Sequence, residues 1–344
     1  MVPTPSNRVD PNALTHPELY AHLAGSGLIT RLLELARDED LGPPGALLGG
    51  TGDITSAACF PATNAHGVAS SPSVSPSVSP RVSPRVNARI VARRPGVIAG
   101  LAAIPETLRL FPGSLEADVI VADGASVQAG QTLATISGAR EHVLVVERTL
   151  LNLIGRLSGI ATRTAMFAAA IPAGLPARLL DTRKTTPGLR VLEKYAVRCG
   201  GGLCHRLGLH DAVLIKDNHI AGLTIAELGP WVANAAERGR SLRPDLAFVE
   251  VEVDSLEQLR AILHTQREAT PAQRVDFVLL DNMDPTTMAA AVAMRSELTP
   301  RILLEASGGV TLDSIAAIAR SGVDRISVGG LTHSAVQLDV AMDL

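Results

Sequence analysis

Cations gather where strands would meet loops between residues 178 and 219, which read RLLDTRKTTPGLRVLEKYAVRCGGGLCHRLGLHDAVLIKDNH. Two short apolar runs, 178–181 and 212–215, bound the stretch and read as buried strands by length and content. A helix is predicted between them, with Pro187 at its start and Gly200–Gly202 near its end. His205 and Arg206 follow in the connection. Parallel strands joined by a helix share one end, so Arg183, Lys184, His205, Arg206, Lys216 and His219 converge there. That end is where α/β enzymes place ligands. A merely solvated rim would mix signs more evenly.

Acidic and glycine-rich strand ends accompany these cations. Alternation within AFVEVEV points Glu250 and Glu252 to one face, and Asp281 ends the next apolar run. Carboxylates on an inward face need a cation or a metal. Two late strands end in Ser307–Gly308–Gly309 and Val328–Gly329–Gly330, each ahead of a predicted helix. Backbone N–H groups of such loops bind phosphate after the last strands of a barrel. Arginine suits planar carboxylates through paired hydrogen bonds, and lysine suits phosphate as a point charge. Glu252 and Asp281 suit Mg²⁺ or sugar hydroxyls, since hard oxygen ligands select magnesium. Carboxylates, phosphates, magnesium and a sugar together describe phosphoribosyl transfer onto a carboxylated acceptor.

The elements that must position these residues alternate strand and helix from Arg178 onward. Strands are predicted at 178–181, 212–216, 247–253, 275–281, 301–305 and 325–328, and helix starts at Thr224, Asp254–Ser255, Asp284–Pro285 and Thr311. Six successive βα units argue for a parallel barrel or a doubly wound sheet, and the polar strand ends favour the barrel. Upstream, 147–170 is a long apolar-striped helix with Arg148 in its first turn. Residues 87–138 read as a small β-rich domain with a helix at 104–111. Its hairpins are similar to those of lipoyl or biotinyl carriers, but the segment has no lysine to bear a cofactor. Residues 70–86 are a Ser-Pro-Val repeat, an extended solvated insertion whose Arg81 and Arg85 serve solubility. A helix is predicted at 16–38, a strand near Ala57, and a loose polar tail at 1–16.

Composition narrows the function classes. The 344 residues suffice for two domains, and 46% hydrophobic content supports a sizeable core. A net charge of -3 and 2% aromatics argue against a nucleic-acid surface. Three cysteines form no disulfide framework and fit a reducing, cytoplasmic setting; Cys199 and Cys204 lack a second pair at zinc spacing. No membrane span, secretory leader or nucleotide-cofactor fingerprint is visible.

The motifs ERTLLNLIGRLSGIATRT, LLDTRKTTPGLRVLEKYAVRCGGG, HRLGLHDAVLIKDNH, VEVEV, LLDNM, EASGGV and VGGLTHS occur in an order that resembles the quinolinate phosphoribosyltransferases. With EDLG and GDIT near the start, the resemblance covers nearly the whole chain. It implies an enzyme with an N-terminal α/β sandwich domain, 1–146, and a C-terminal incomplete, seven-stranded α/β barrel, 147–344, whose end packs back on the first domain. It implies phosphoribosyl transfer from phosphoribosyl pyrophosphate (PRPP) to quinolinate with decarboxylation, giving nicotinate mononucleotide for NAD synthesis. It also implies Mg²⁺ and a homodimer or higher oligomer. Arg148 of a second copy, with Arg183, His205 and Arg206, would hold the quinolinate carboxylates. Lys184 and Lys216 would contact both substrates, with Thr182 beside them. Glu252 and Asp281 would serve ribose and magnesium. Ser307, Gly308, Gly309, Val328, Gly329 and Gly330 would cradle the 5′-phosphate near His333. The insertion at 70–86, the longer stretch at 264–273, and Cys204 where the family often has Asn depart from the pattern. Competing readings are a related transferase acting on nicotinate or associated with molybdenum transport, and a non-enzymatic barrel that binds a phosphorylated metabolite.

Overall fold

The computed structural model describes residues 8–42, 52–59 and 84–344. Most of the Ser-Pro insertion, including Arg81, lies outside the described residues. Its last two residues, Arg85 and Val86, already belong to a strand, because Pro84 is the last proline of the run and leaves their N–H groups free to pair. The described chain divides into two compact units, one holding His16–Gly159 and Val336–Leu344, the other the residues up to Thr15 and Ile160–Ala335.

The first unit begins with helices α1 (His16–Ala24), α2 (Leu28–Leu41) and α3 (Ile54–Cys59). The helix predicted over 16–38 is thus two helices. Gly27 separates them at φ 72, a left-handed conformation that interrupts a helix. The strand predicted near Ala57 is α3 instead. Asp53 accepts a hydrogen bond from Ser56 N at 3.0 Å, a capping contact that a six-residue helix hides from periodicity. Strands β1 (Arg85–Ala92), β2 (Gly96–Val97), β3 (Glu116–Val119), β4 (Ser126–Val127) and β5 (Thr132–Ala139) follow, with α4 (Ile104–Leu110) between β2 and β3. Ala88, Ile90 and Ala92 alternate along β1 into a core with Ile104, Val143, Val146, Leu150 and Ile154. The last five of these lie on helices, α4 and α5 (Arg140–Ala170). Helix α5 starts seven residues before the predicted 147. Arg148 therefore sits about two turns in, where the helix dipole no longer acts on it. The division between units falls within α5, after Gly159.

The second unit is a parallel β/α array. Its strands are β6 (Arg178–Leu180), β7 (Val213–Ile215), β8 (Val249–Val253), β9 (Phe277–Asp281), β10 (Leu303–Ser307) and β11 (Arg325–Ser327). They order as β6-β11-β10-β9-β8-β7. Among the described residues the incomplete barrel thus has six strands where seven were expected, and beyond β6 Leu203 forms only a lone parallel bridge to Leu180. Helices α6 (Arg190–Cys199), α7 (Asp217–Ile220), α8 (Ile225–Leu242), α9 (Leu256–Gln266), α10 (Pro285–Leu298), α11 (Ile315–Arg320) and α12 (Gly330–His333) fill the connections. Thr224 opens α8 in a capping box with Glu227, and the Asp284 side chain accepts from Thr286 N at 2.8 Å to open α10. Residues 8–15 are not a loose tail. The Asn12 side chain donates to Cys204 O at 2.9 Å and accepts from Cys204 N at 2.7 Å. A last strand, β12 (Val340–Asp343), pairs antiparallel with β1, giving the first unit's sheet the order β12-β1-β5-β3. Among the described residues no helix is long and apolar enough to cross a membrane.

Candidate active site

A cavity of about 870 Å³ opens at the C-terminal ends of the barrel strands. After β6 come Thr182, Arg183 and Lys184. The Thr182 hydroxyl accepts from Lys184 N at 3.0 Å, and the Thr332 hydroxyl donates to Lys184 O at 2.7 Å. Thr186, further along the same loop, is held by the buried Glu193, which accepts from its N–H at 3.0 Å and its hydroxyl at 2.9 Å. The loop is therefore tied at both ends before any ligand arrives, and that preorganises its charges.

Lys216 and Glu252 face each other across the wall, Nζ to Oε2 at 3.0 Å, and Asp281 ends β9 in the same cavity. Ser307, Gly308 and Gly309 follow β10, and Val328, Gly329, Gly330 and His333 follow β11. Gly308 has φ 91, and a Cβ there would stand 2.2 Å from Asn282 Oδ1, so glycine is required. Asn282 itself has φ 54, a conformation Asn tolerates, and its Nδ2 donates to Asp281 Oδ2 at 2.9 Å. Asn282 was not foreseen, although an Asn directly after a strand-ending Asp is a usable signal. Arg163 was also missed. It lies on α5 and donates through Nε to Gly330 O at 2.7 Å, fixing the second glycine loop. His219 was expected at the site but is a cap. Its Nδ1 accepts from Lys216 N at 2.8 Å, and it does not line the cavity. Arg148 lies in the other unit, with 76% of its side chain exposed and Glu147 Oε1 3.8 Å away.

The floor of the cavity is built around His205 and Arg206, both 7% exposed. Burial, then the charge of Arg183, lowers the Arg206 pKa. A guanidinium so placed stays charged and gains by receiving an anion. Behind His205 stand two fully buried carboxylates, Glu250 Oε2 at 2.9 Å and Glu305 Oε1 at 3.3 Å from Nε2. Burial would lower the ring's pKa, but Glu305 and then Glu250 outweigh it, and the balance of burial, charge and side-chain hydrogen bonds would push it up to about 9. The Arg206 N–H opposes this. It points at Nδ1 from 2.8 Å and needs a lone pair there. That hydrogen bond keeps the ring neutral with its proton on Nε2. Burial and then Glu305 push the Glu250 pKa up, so Glu250 can hold the remaining proton. Burial also disfavours ionised Glu305, but the Arg325 charge and the hydrogen bonds from His205 and Ser327 favour its carboxylate form.

His205, Glu250 and Glu305 offer their ligand atoms within 4.8 Å of one another. The Nε2 proton makes this a poor metal site, since a ligating nitrogen must be bare. Glu252 and Asp281 fit magnesium better. Each has one oxygen engaged, by Lys216 and Asn282, and one left for a cation that takes most of its ligands from phosphates and water.

Sequence profiles agree with this geometry. The description "Quinolinate phosphoribosyl transferase, C-terminal domain" matches residues 160–343, and its N-terminal counterpart matches 53–158. The chain belongs to the quinolinate phosphoribosyltransferase family. It is 45% identical over 254 residues to a nicotinate-nucleotide pyrophosphorylase [carboxylating] of Mycobacterium leprae, covering 73% of this chain and 84% of that one. A probable enzyme of the same name from Synechocystis is 43% identical, covering 74% and 81%. The nicotinate-nucleotide pyrophosphorylase structure from Francisella tularensis superposes with a TM-score of 0.74 at 30% identity, covering 98% and 99%. The incomplete α/β barrel and the separate α/β unit are thus the family's architecture.

Proposed function

We propose that this chain transfers the phosphoribosyl group of PRPP to the ring nitrogen of quinolinate and removes the adjacent carboxylate. The products are nicotinate mononucleotide, pyrophosphate and carbon dioxide. One observation carries the reading: two guanidiniums, Arg183 and Arg206, share a cavity with two glycine loops. The arginines suit a planar dicarboxylate and the loops suit a phosphate.

In this reading Ser307–Gly309 and Gly329–Gly330 hold the 5′-phosphate, with Val328 and His333 at the edge. Asp281 and Glu252 orient the ribose hydroxyls, and the same two carboxylates would hold Mg²⁺, which would supply charge neutralisation to the pyrophosphate. Lys184 and Lys216 stabilise the departing pyrophosphate as its bond to the anomeric carbon breaks. Arg183 and Arg206 hold quinolinate so that its nitrogen attacks the opposite face of the sugar. The ring nitrogen is then positive. The bond to the neighbouring carboxylate breaks, its electron pair stays on the ring carbon, and that carbon takes a proton. Arg148 of a second subunit in a homodimer completes the acceptor site, a role open to a side chain so exposed. A cytoplasmic setting agrees with Cys59, Cys199 and Cys204 all being free.

Product analysis by mass tests the assignment. The protein is incubated with Mg²⁺, PRPP and either quinolinate or nicotinate. Nicotinate mononucleotide from quinolinate alone is the expected outcome. Product from nicotinate alone would overturn the dicarboxylate role, and no product in either tube would overturn the transferase reading.

A further inference from the structure

Two buried carboxylates beneath the acceptor site take no part in the reaction as described. Glu250 and Glu305 are both fully buried, on β8 and β10, the two strands that flank β9. Burying such charges costs several kcal/mol each, and apolar residues of similar volume often give a more stable fold. Stability alone does not account for them.

Their neighbours form a rigid frame around one ring. Arg325 approaches Glu305 Oε2 through Nε at 2.8 Å. Its guanidinium lies 3.9 Å from the centroid of Phe277, a cation over an aromatic face. Phe248 meets the His205 ring edge-on, with centroids 5.3 Å apart. The ring's Nε2 faces Glu250 and Glu305, and its Nδ1 accepts the Arg206 N–H at 2.8 Å. The residue before the ring is pinned by Asn12, and the His205 N–H donates to Asp181 Oδ1 at 2.9 Å. Every polar atom of His205 that a ligand would use is therefore committed within the protein.

We propose that Glu250 and Glu305 are positioning residues for the acceptor: they hold the His205 ring so that its Nδ1 fixes the Arg206 backbone, and with it the guanidinium that receives a carboxylate. This rests on the quinolinate reading of the site. It makes His205 the link between the two carboxylates and Arg206, where the family resemblance alone would set the ring against quinolinate. The PRPP side of the cavity has its own ties, through Thr332 to Lys184 and Arg163 to Gly330, and does not depend on this frame.

The test is steady-state kinetics of Glu250→Gln and Glu305→Gln, which keep shape while removing charge. The expected result is a rise of about tenfold in KM for quinolinate with KM for PRPP within about twofold. Equal losses for both substrates, or an unchanged quinolinate KM in a folded variant, would overturn the proposal. Should neither variant fold, nitrogen NMR of isotope-labelled wild-type protein decides. His205 should show a bare Nδ1 coupled to the Arg206 amide and a protonated Nε2. A proton on Nδ1 at neutral pH would overturn the proposal. Wild-type turnover is the control: no product from quinolinate refutes the functional reading, while the NMR result still judges the ring.

Discussion

At the scale of single residues, the site separates groups that meet ligand from groups that aim them. Arg206 is the clearest of the first kind. It is 7% exposed, its pKa is depressed by burial and by Arg183, and it borders the cavity floor. A cation held this way has lost hydration that only an anion restores. Arg206→Ala should weaken quinolinate binding by about 100-fold, the range of a buried charge-assisted pair, as read by calorimetry. Unchanged affinity would remove Arg206 from the acceptor site. His205 and Glu193 are of the second kind, with their polar atoms spent on the backbone of Arg206 and on Thr186. Lys194 is another. It is fully buried against Asp181, whose Oδ1 also accepts from His205 N.

At the scale of elements, the second unit relies on close approach between the end of α6 and the C-terminal part of α5. A Cβ on Gly200 would lie 2.3 Å from the carbonyl oxygen of Ala161 and 2.6 Å from Thr164 Cβ. Backbone cannot move aside as a flexible side chain can. Gly200→Ala should therefore cost about 1–3 kcal/mol, as overpacking does, and urea unfolding would show it. A variant as stable as wild type would mean that α5 and α6 pack less tightly than described. The contact matters for chemistry because the 203–206 segment leaves directly from this helix end. The glycines that looked like a helix stop, Gly200–Gly202, thus have a packing role as well. Gly202 would also clash, 2.7 Å from Val197 Cγ1.

At the scale of the whole molecule, the question is whether one chain holds a complete site. Arg148 is exposed on α5 and, like His219, does not line the barrel cavity, but it alone lies in the other unit. If a second subunit supplies it, chains carrying Arg148→Ala and chains carrying Lys184→Ala should be inactive apart. Unfolded and refolded together, they should recover about a quarter of wild-type activity, because half the dimers are hybrids with one intact site. No recovery would assign Arg148 to its own chain or to none. How much of this was legible in the sequence differs by residue. Strand ends announce themselves through a change from apolar runs to charge or glycine, so Lys216, Glu252, Asp281 and both glycine loops could be placed at one rim, with 178–216 as its first βα unit. Local periodicity missed what is short or distant. Helix α3 has too few residues for a period, and the break at Gly27 depends on one backbone angle. The Asn12–Cys204 pairing spans 192 residues. The sequence by itself determined the βα alternation, the cationic rim and the phosphate loops, because spacing and composition encode them locally. Only the tertiary structure decided that His205 turns its ring inward to Glu250 and Glu305, because hydrogen-bond direction and burial arise when distant strands close around one side chain.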